Sequence, residues 1–181
     1  MTIMEGWEKE GRLAALEANV RYLLDIEEIR NIRRLYHTYV NERTPERIAD
    51  LFTNDGEWDF GPVSRGSNVR EYFTNLKDRS QFFQQFPHHH VVEVTGDLAT
   101  GFCYQEAKAV INGIAYTVLG RYDDVYHRTP AGWRFRKMCF DPRVFAPSSD
   151  QSWADPAKRR VDPYANFMER DADGNLIIPK S

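Results

Sequence analysis

Three consecutive histidines, His88-His89-His90, stand between Pro87 and the run Val91-Val92-Glu93-Val94. An imidazole titrates near neutrality, so it can take a proton from carbon or give one to a departing oxygen. Pro87 cannot continue a preceding helix, and valines at 91, 92 and 94 favour an extended chain. In a strand, neighbouring side chains point to opposite faces. On that spacing His88 and His90 share the face of Val92 and Val94, which should be the inward one. His89 takes the other face, where it suits an interface. His88 is therefore the first candidate base and His90 the reserve. Histidines two apart on a strand can also share an ion, but zinc wants three or four ligands and no third is evident, so no metal is expected.

The composition frames this chemistry. A chain of 181 residues, 41% hydrophobic and 28% charged, is a globular domain with room for a tail. Aromatics at 13% suit a ring-lined cavity as well as a bulky core. A net charge of −3 without a basic block gives no electrostatic reason for nucleic acid, and Arg33-Arg34 and Arg159-Arg160 read as solvated pairs. Two cysteines, Cys103 and Cys139, make no disulfide framework and point to a reducing compartment. No signal peptide or membrane span is legible, so a cytoplasmic protein with no membrane partner is expected.

The elements that must position the histidines follow in two blocks. Residues 8–40 carry helical periodicity, first Leu13, Leu16, Val20 and Leu23/Leu24, then Ile29, Ile32, Leu35/Tyr36 and Tyr39. Asp25 and Glu28 have capping-box spacing, which predicts a second helix starting there. The earlier stripe suits either a partner chain or its own domain. Thr44-Pro45-Glu46 predicts a short helix ended by a turn at Asn54-Asp55-Gly56, and Glu57–Phe60 alternates like a strand. Ser67 to about Phe86 reads as helical again. From Pro87 onward the pattern is four strands, 88–95, 98–111, 114–128 and 133–146, with Asn112-Gly113 fitting a type I′ hairpin. Helices followed by an antiparallel meander mean an α+β fold. Residues 147–181 form an extension in which Asp171–Asn175 is a plain turn rather than a calcium loop.

Four stretches carry a family likeness: Asp25–Arg30 with Leu35-Tyr36, Ala49–Trp58, Gly96–Gly101, and Arg121–Tyr126 leading to Gly132–Phe135. Together they resemble the nuclear transport factor 2-like superfamily and, within it, the SnoaL-like proteins, which include scytalone dehydratase, a hexachlorocyclohexane dehydrochlorinase and bile acid 7α-dehydratase. The resemblance implies a cone-shaped, strongly curved, mainly antiparallel sheet enclosed by N-terminal helices. It implies a SnoaL-like domain over 22–146, a helical extension over 1–21 and a C-terminal extension over 147–181.

In the lyases of that family an aspartate late in the long helix pairs with a histidine opening the first meander strand, and a helix tyrosine assists. The resemblance puts the tyrosine at Tyr36 and the aspartate at Asn41, which can hold an imidazole tautomer but cannot offset its charge. It puts the histidine near Gln85, with His88 the nearest imidazole, and an anion-binding arginine near Arg143. Trp58, Tyr104, Tyr116 and Phe140 are candidate substrate contacts, and Glu106 a substitute acid if its strand face points inward. The expected function is a cofactor-free lyase of dehydratase type on a hydrophobic oxygenated ring compound. His88 would remove the proton, Tyr36 would serve the oxygen, and Asn41 would hold the imidazole. The alternatives are an isomerase or cyclase on the same pocket, or a binding module that lost the dyad. A homodimer or homotrimer is expected.

Overall fold

The computed structural model describes residues 3–61, 64–75 and 80–149. Helix α1 (Ile3–Asn41) leads through a 3-10 helix (Pro45–Leu51) to β1 (Phe52–Asp59), β2 (Arg65–Gly66) and α2 (Val69–Thr74). The meander follows as β3 (Phe82–Thr95), β4 (Leu98–Ile111), β5 (Ile114–Thr129) and β6 (Gly132–Pro147). These make one curved sheet in the order β2-β1-β6-β5-β4-β3, antiparallel except where β1 runs beside β6. The α+β cone with its N-terminal helix is thus present. Asn112 and Gly113 both take positive φ, 52° and 78°, as a type I′ turn requires.

Several local expectations give way to tertiary contacts. One helix, not two, covers 3–41, and Asp25 caps nothing. Its carboxylate receives both terminal nitrogens of Arg128, each at 2.6 Å, and Trp133 Nε1 at 3.0 Å. Glu28 accepts the Trp133 backbone N–H at 2.9 Å. These bonds dock the helix on the β5–β6 turn. Ile29, Ile32, Tyr36, Tyr39 and Val40 form its buried stripe as expected, whereas Leu13, Leu16, Val20, Leu23 and Leu24 are exposed. Asn54-Asp55-Gly56 lies inside β1 rather than ending a helix. There the pairing with β6 slips between Phe52 and Glu57, so the turn residues are absorbed as an irregularity in the strand.

The largest correction concerns β3. It begins at Phe82, not His88, and the helix expected up to Phe86 is only Val69–Thr74 among the described residues. Phe82–Pro87 pair with Val110–Gln105, and pairing resumes at His90↔Cys103. His88 and His89 therefore stand opposite the single residue Tyr104, which is a bulge. Pro87 is tolerated because β3 is an edge strand that needs no donor there. The Arg159-Arg160 pair and the Asp171–Asn175 segment lie outside the described residues.

Asn41 protects the open edge of β3. Its Nδ2 donates to the Gln85 carbonyl at 2.9 Å, and the Gln85 N–H donates to its Oδ1 at 2.8 Å. Both halves of the amide are thus spent on one strand residue. Asn41→Ala should lower the unfolding free energy by about 2–3 kcal/mol, because two part-buried backbone groups lose their partner. Urea denaturation measures this, and an unchanged midpoint would refute the clasp.

Candidate active site

The inner face of α1 and the inner face of the sheet enclose a cavity of about 190 Å³. Tyr36, Tyr72 and Phe73 line it from the helices, and Phe60, Phe83, Phe140 and Phe145 add rings from around the sheet. Val118 and Tyr122 come from β5. Gln85, Gln105 and Ser80 supply the polar exceptions besides the three phenols of Tyr36, Tyr72 and Tyr122. Among the described lining residues none carries a formal charge. Gly120 is required beside this wall, since a Cβ there would lie 2.5 Å from the Phe140 ring and 2.4 Å from the Asp141 carbonyl.

The polar groups form a connected chain. The hydroxyls of Tyr36 and Tyr122 are 3.3 Å apart, and Gln85 Nε2 donates to Tyr122 at 3.4 Å. Gln85 Oε1 then faces His37 Nδ1 at 2.8 Å. With the amide N–H given to a phenol, only an N–H on His37 suits that oxygen. The network therefore assigns the Nδ1–H tautomer to His37, leaving a lone pair on Nε2. That Nε2 is buried and has no partner. His37 is itself 2% exposed and lies behind the cavity wall, edge-on to both phenol rings.

Arg33 stands under this assembly, one turn before His37. It is 2% exposed and paired with the buried Asp124, while its neighbour Arg34 is 55% exposed. The reading of both arginines as solvated fails for Arg33. Its guanidinium lies 4.2 Å from the Tyr122 ring centre, 4.7 Å from Phe135 and 5.2 Å from Tyr36. Asp124 also accepts from the Tyr126 hydroxyl at 3.0 Å. Burial pushes the Asp124 carboxyl up to about 6 while Arg33 opposes the rise, so it is a carboxylate at neutral pH. Burial, and then the Arg33 charge, drives His37 down to about 3. Burial pushes the Tyr36 hydroxyl up to about 12.

The sequence-predicted residues fare unevenly. Tyr36 and Phe140 line the cavity. His88 is exposed, because the bulge turns it outward with His89. His89 lies against Phe102 and Tyr104 on the outer face. His90 does turn inward and is half-buried, but it meets Tyr126 at 3.4 Å and does not line the cavity. Burial, with Arg33 second, holds it at about 3. Asn41 gives both halves of its amide to the Gln85 backbone rather than to an imidazole. Trp58 is buried against the Tyr72 ring at 4.4 Å, with its Nε1 on Ser64. Tyr116 stacks on Phe145 without lining the cavity. Tyr104 and Arg143 meet on the outer face, and Glu106 pairs with Lys108 there. His37, Gln105, Tyr122 and Asp124 belong to the interior without standing among the sequence-predicted residues. Inward alternation of Cys103-Gln105-Ala107 and Tyr122-Asp124-Tyr126 was the available signal. No group of three or more potential metal ligands occurs among the described residues, and no described helix is long and apolar enough to cross a membrane.

The SnoaL-like domain pattern matches residues 21–139. No curated protein matches the chain. Among solved structures, a hexachlorocyclohexane dehydrochlorinase from Novosphingobium barchaimii LL02 is similar at 17% identity and a TM-score of 0.67, with 72% of this chain and 94% of that one covered. A candidate scytalone dehydratase from Novosphingobium aromaticivorans is similar at 14% identity and a TM-score of 0.63, covering 71% and 91%. An NTF2-like protein with a cystatin-like fold from the same species reaches 25% identity and a TM-score of 0.59, covering 71% and 88%.

The acid limb of stability follows from the two imidazoles. Their folded values lie near 3 against an ordinary 6.5, so the unfolded chain binds the extra protons first. Stability is therefore full above about pH 6.5 and falls as pH drops towards 3, by up to about 1.4 kcal/mol per pH unit for each imidazole. His37→Asn, which keeps a donor for Gln85, should make that limb shallower by about 1 kcal/mol per pH unit. Denaturation from about pH 7 to 4 reads the slope, and an unaltered slope would place His37 in water.

Proposed function

This chain belongs to the SnoaL-like family, and from that premise we propose that its cavity eliminates water from a small, hydrophobic, oxygenated ring compound. The observation that carries the reading is the pair of hydrogen-bonded phenols, Tyr36 and Tyr122, at the polar end of an otherwise apolar, ring-lined cavity. In a β-hydroxy ketone both phenols would donate to the carbonyl oxygen and stabilise the enolate formed when the α-carbon loses its proton. The β-hydroxyl then leaves as water, taking up the proton that was removed from the α-carbon, and an enone remains. Gln85, fixed by His37 on one side and by Asn41 through its backbone, aims its amide at Tyr122. For His37 to accept the α-proton in this reading, its partnerless Nε2 must come through the wall that it stands behind. The same enolate serves an isomerisation or a cyclisation. The dehydrochlorinase and dehydratase descriptions of two structural neighbours are consistent with elimination chemistry.

A second reading, a ligand-binding module, is favoured by one observation. His37 stands behind the wall rather than on it, and the resemblance implies amides, near Asn41 and Gln85, in place of the lyases' Asp–His dyad. Turnover decides between them. With cyclic β-hydroxy ketones, enone absorbance should appear in the wild type, and Tyr36→Phe, Tyr122→Phe and His37→Asn should each lower kcat/KM by about 10²–10⁴-fold. His88→Ala should change it little. Equal rates in all four variants would end the enzymatic assignment to these residues.

A further inference from the structure

Gln105 is the amide on the cavity wall that the chain described above leaves out, as it leaves out the hydroxyls of Ser80 and Tyr72. It sits on β4 with its side chain on the inner face, between Cys103 and Ala107, and is 3% exposed. Across the strands it stands opposite Gly120 on β5 and Pro87 on β3. Neither neighbour brings a side-chain hydrogen-bonding group to it. Its Oε1 is buried without a partner although the residue lines the cavity. A buried amide oxygen in that state is costly unless something inside the cavity donates to it.

We infer that Gln105 is a specificity residue: it reads a hydroxyl or N–H on a neutral ring compound whose other oxygen meets the Tyr36–Tyr122 pair. This rests on the cavity being the substrate site, as proposed above. The lining explains why the ligand is neutral. Its described residues include no Lys or Arg, so a carboxylate would lose its water for neutral hydroxyls and amides alone. Arg33 does not compensate, because it lies beneath the phenol rings with its charge already paired to Asp124. The aromatic walls fix ring character, and the two separate polar points fix orientation. Acceptance at Gln105 and donation at the phenols are opposite requirements, so a hydroxylated ring ketone satisfies both while its diketone or plain ketone satisfies one.

The test is equilibrium binding of three probes, naphthol, its methyl ether and naphthoic acid at neutral pH, to wild type and Gln105→Met by calorimetry. Naphthol should bind wild type about tenfold tighter than the ether, the worth of one hydrogen bond to a buried acceptor, and tighter than naphthoate. In Gln105→Met the naphthol-to-ether ratio should fall close to one with the ether's own affinity retained. The variant's Tm should hold or rise, since an unpartnered polar group has been removed. An unchanged ratio in Gln105→Met, preferred binding of naphthoate, or no binding of any probe to wild type would each overturn the inference. Loss of the fold in both Gln105→Met and Gln105→Leu would overturn it too, by showing the amide to be structurally engaged. Because nothing turns over in this measurement, a cavity that binds but never eliminates water leaves the inference standing. A working lyase whose Gln105 variants keep the ratio loses this inference alone.

Discussion

A buried positive charge governs the interior of this protein. Arg33 projects from the middle of α1 into the cone, where Asp124 balances it and the rings of Tyr36, Tyr122 and Phe135 surround it. Removing either member of such a pair would leave an uncompensated charge in a medium that solvates it poorly. The same charge opposes protonation of every nearby base. His37 and His90 are both held neutral, by burial first and by Arg33 second. Neutral imidazoles must donate with one nitrogen and accept with the other, and that asymmetry sets the direction of the hydrogen bonds around them.

The consequence is a cavity whose polar end is uncharged. Asn41 and Gln85 bring amides rather than ionisable groups to this end of the cone. Here Asn41 has become a clasp on the strand edge, and Gln85 has become the link between an imidazole and a phenol. A carboxylate–imidazole dyad works by separating charge. A phenol pair backed by an amide works by donating hydrogen bonds to charge that develops on the ligand. The architecture is that of the family, and the described lining of its cavity carries no formal charge. Such a site favours ligands that are neutral when they arrive.

The legibility of this arrangement in the sequence varied with how local each determinant is. The Asn112-Gly113 turn, the span of β4 and the apolar stripe over Ile29–Tyr39 are local patterns, and they stand where they were expected. The histidine run failed for a non-local reason. Parity along β3 holds from Phe82 to Pro87 and again from His90, but the bulge between them shifts it by one residue, and only pairing with β4 reveals that. Asp25 and Glu28 resemble a cap until Arg128 and Trp133, about a hundred residues away, claim them. Arg33 looks like half of a solvated pair until Asp124 arrives from β5. His37 lies four residues after Arg33 and four before Asn41 on one helix face, a spacing that marks it as internal once either neighbour is known to be buried.

The account stands or falls on the state of His37. Nitrogen NMR of the imidazole in histidine-labelled protein, followed from about pH 8 to about pH 4, reads its tautomer and its protonation directly. The account predicts a ring that stays neutral throughout, with its proton on Nδ1 towards Gln85. A proton on Nε2, or a titration with its midpoint near the ordinary 6.5, would contradict it.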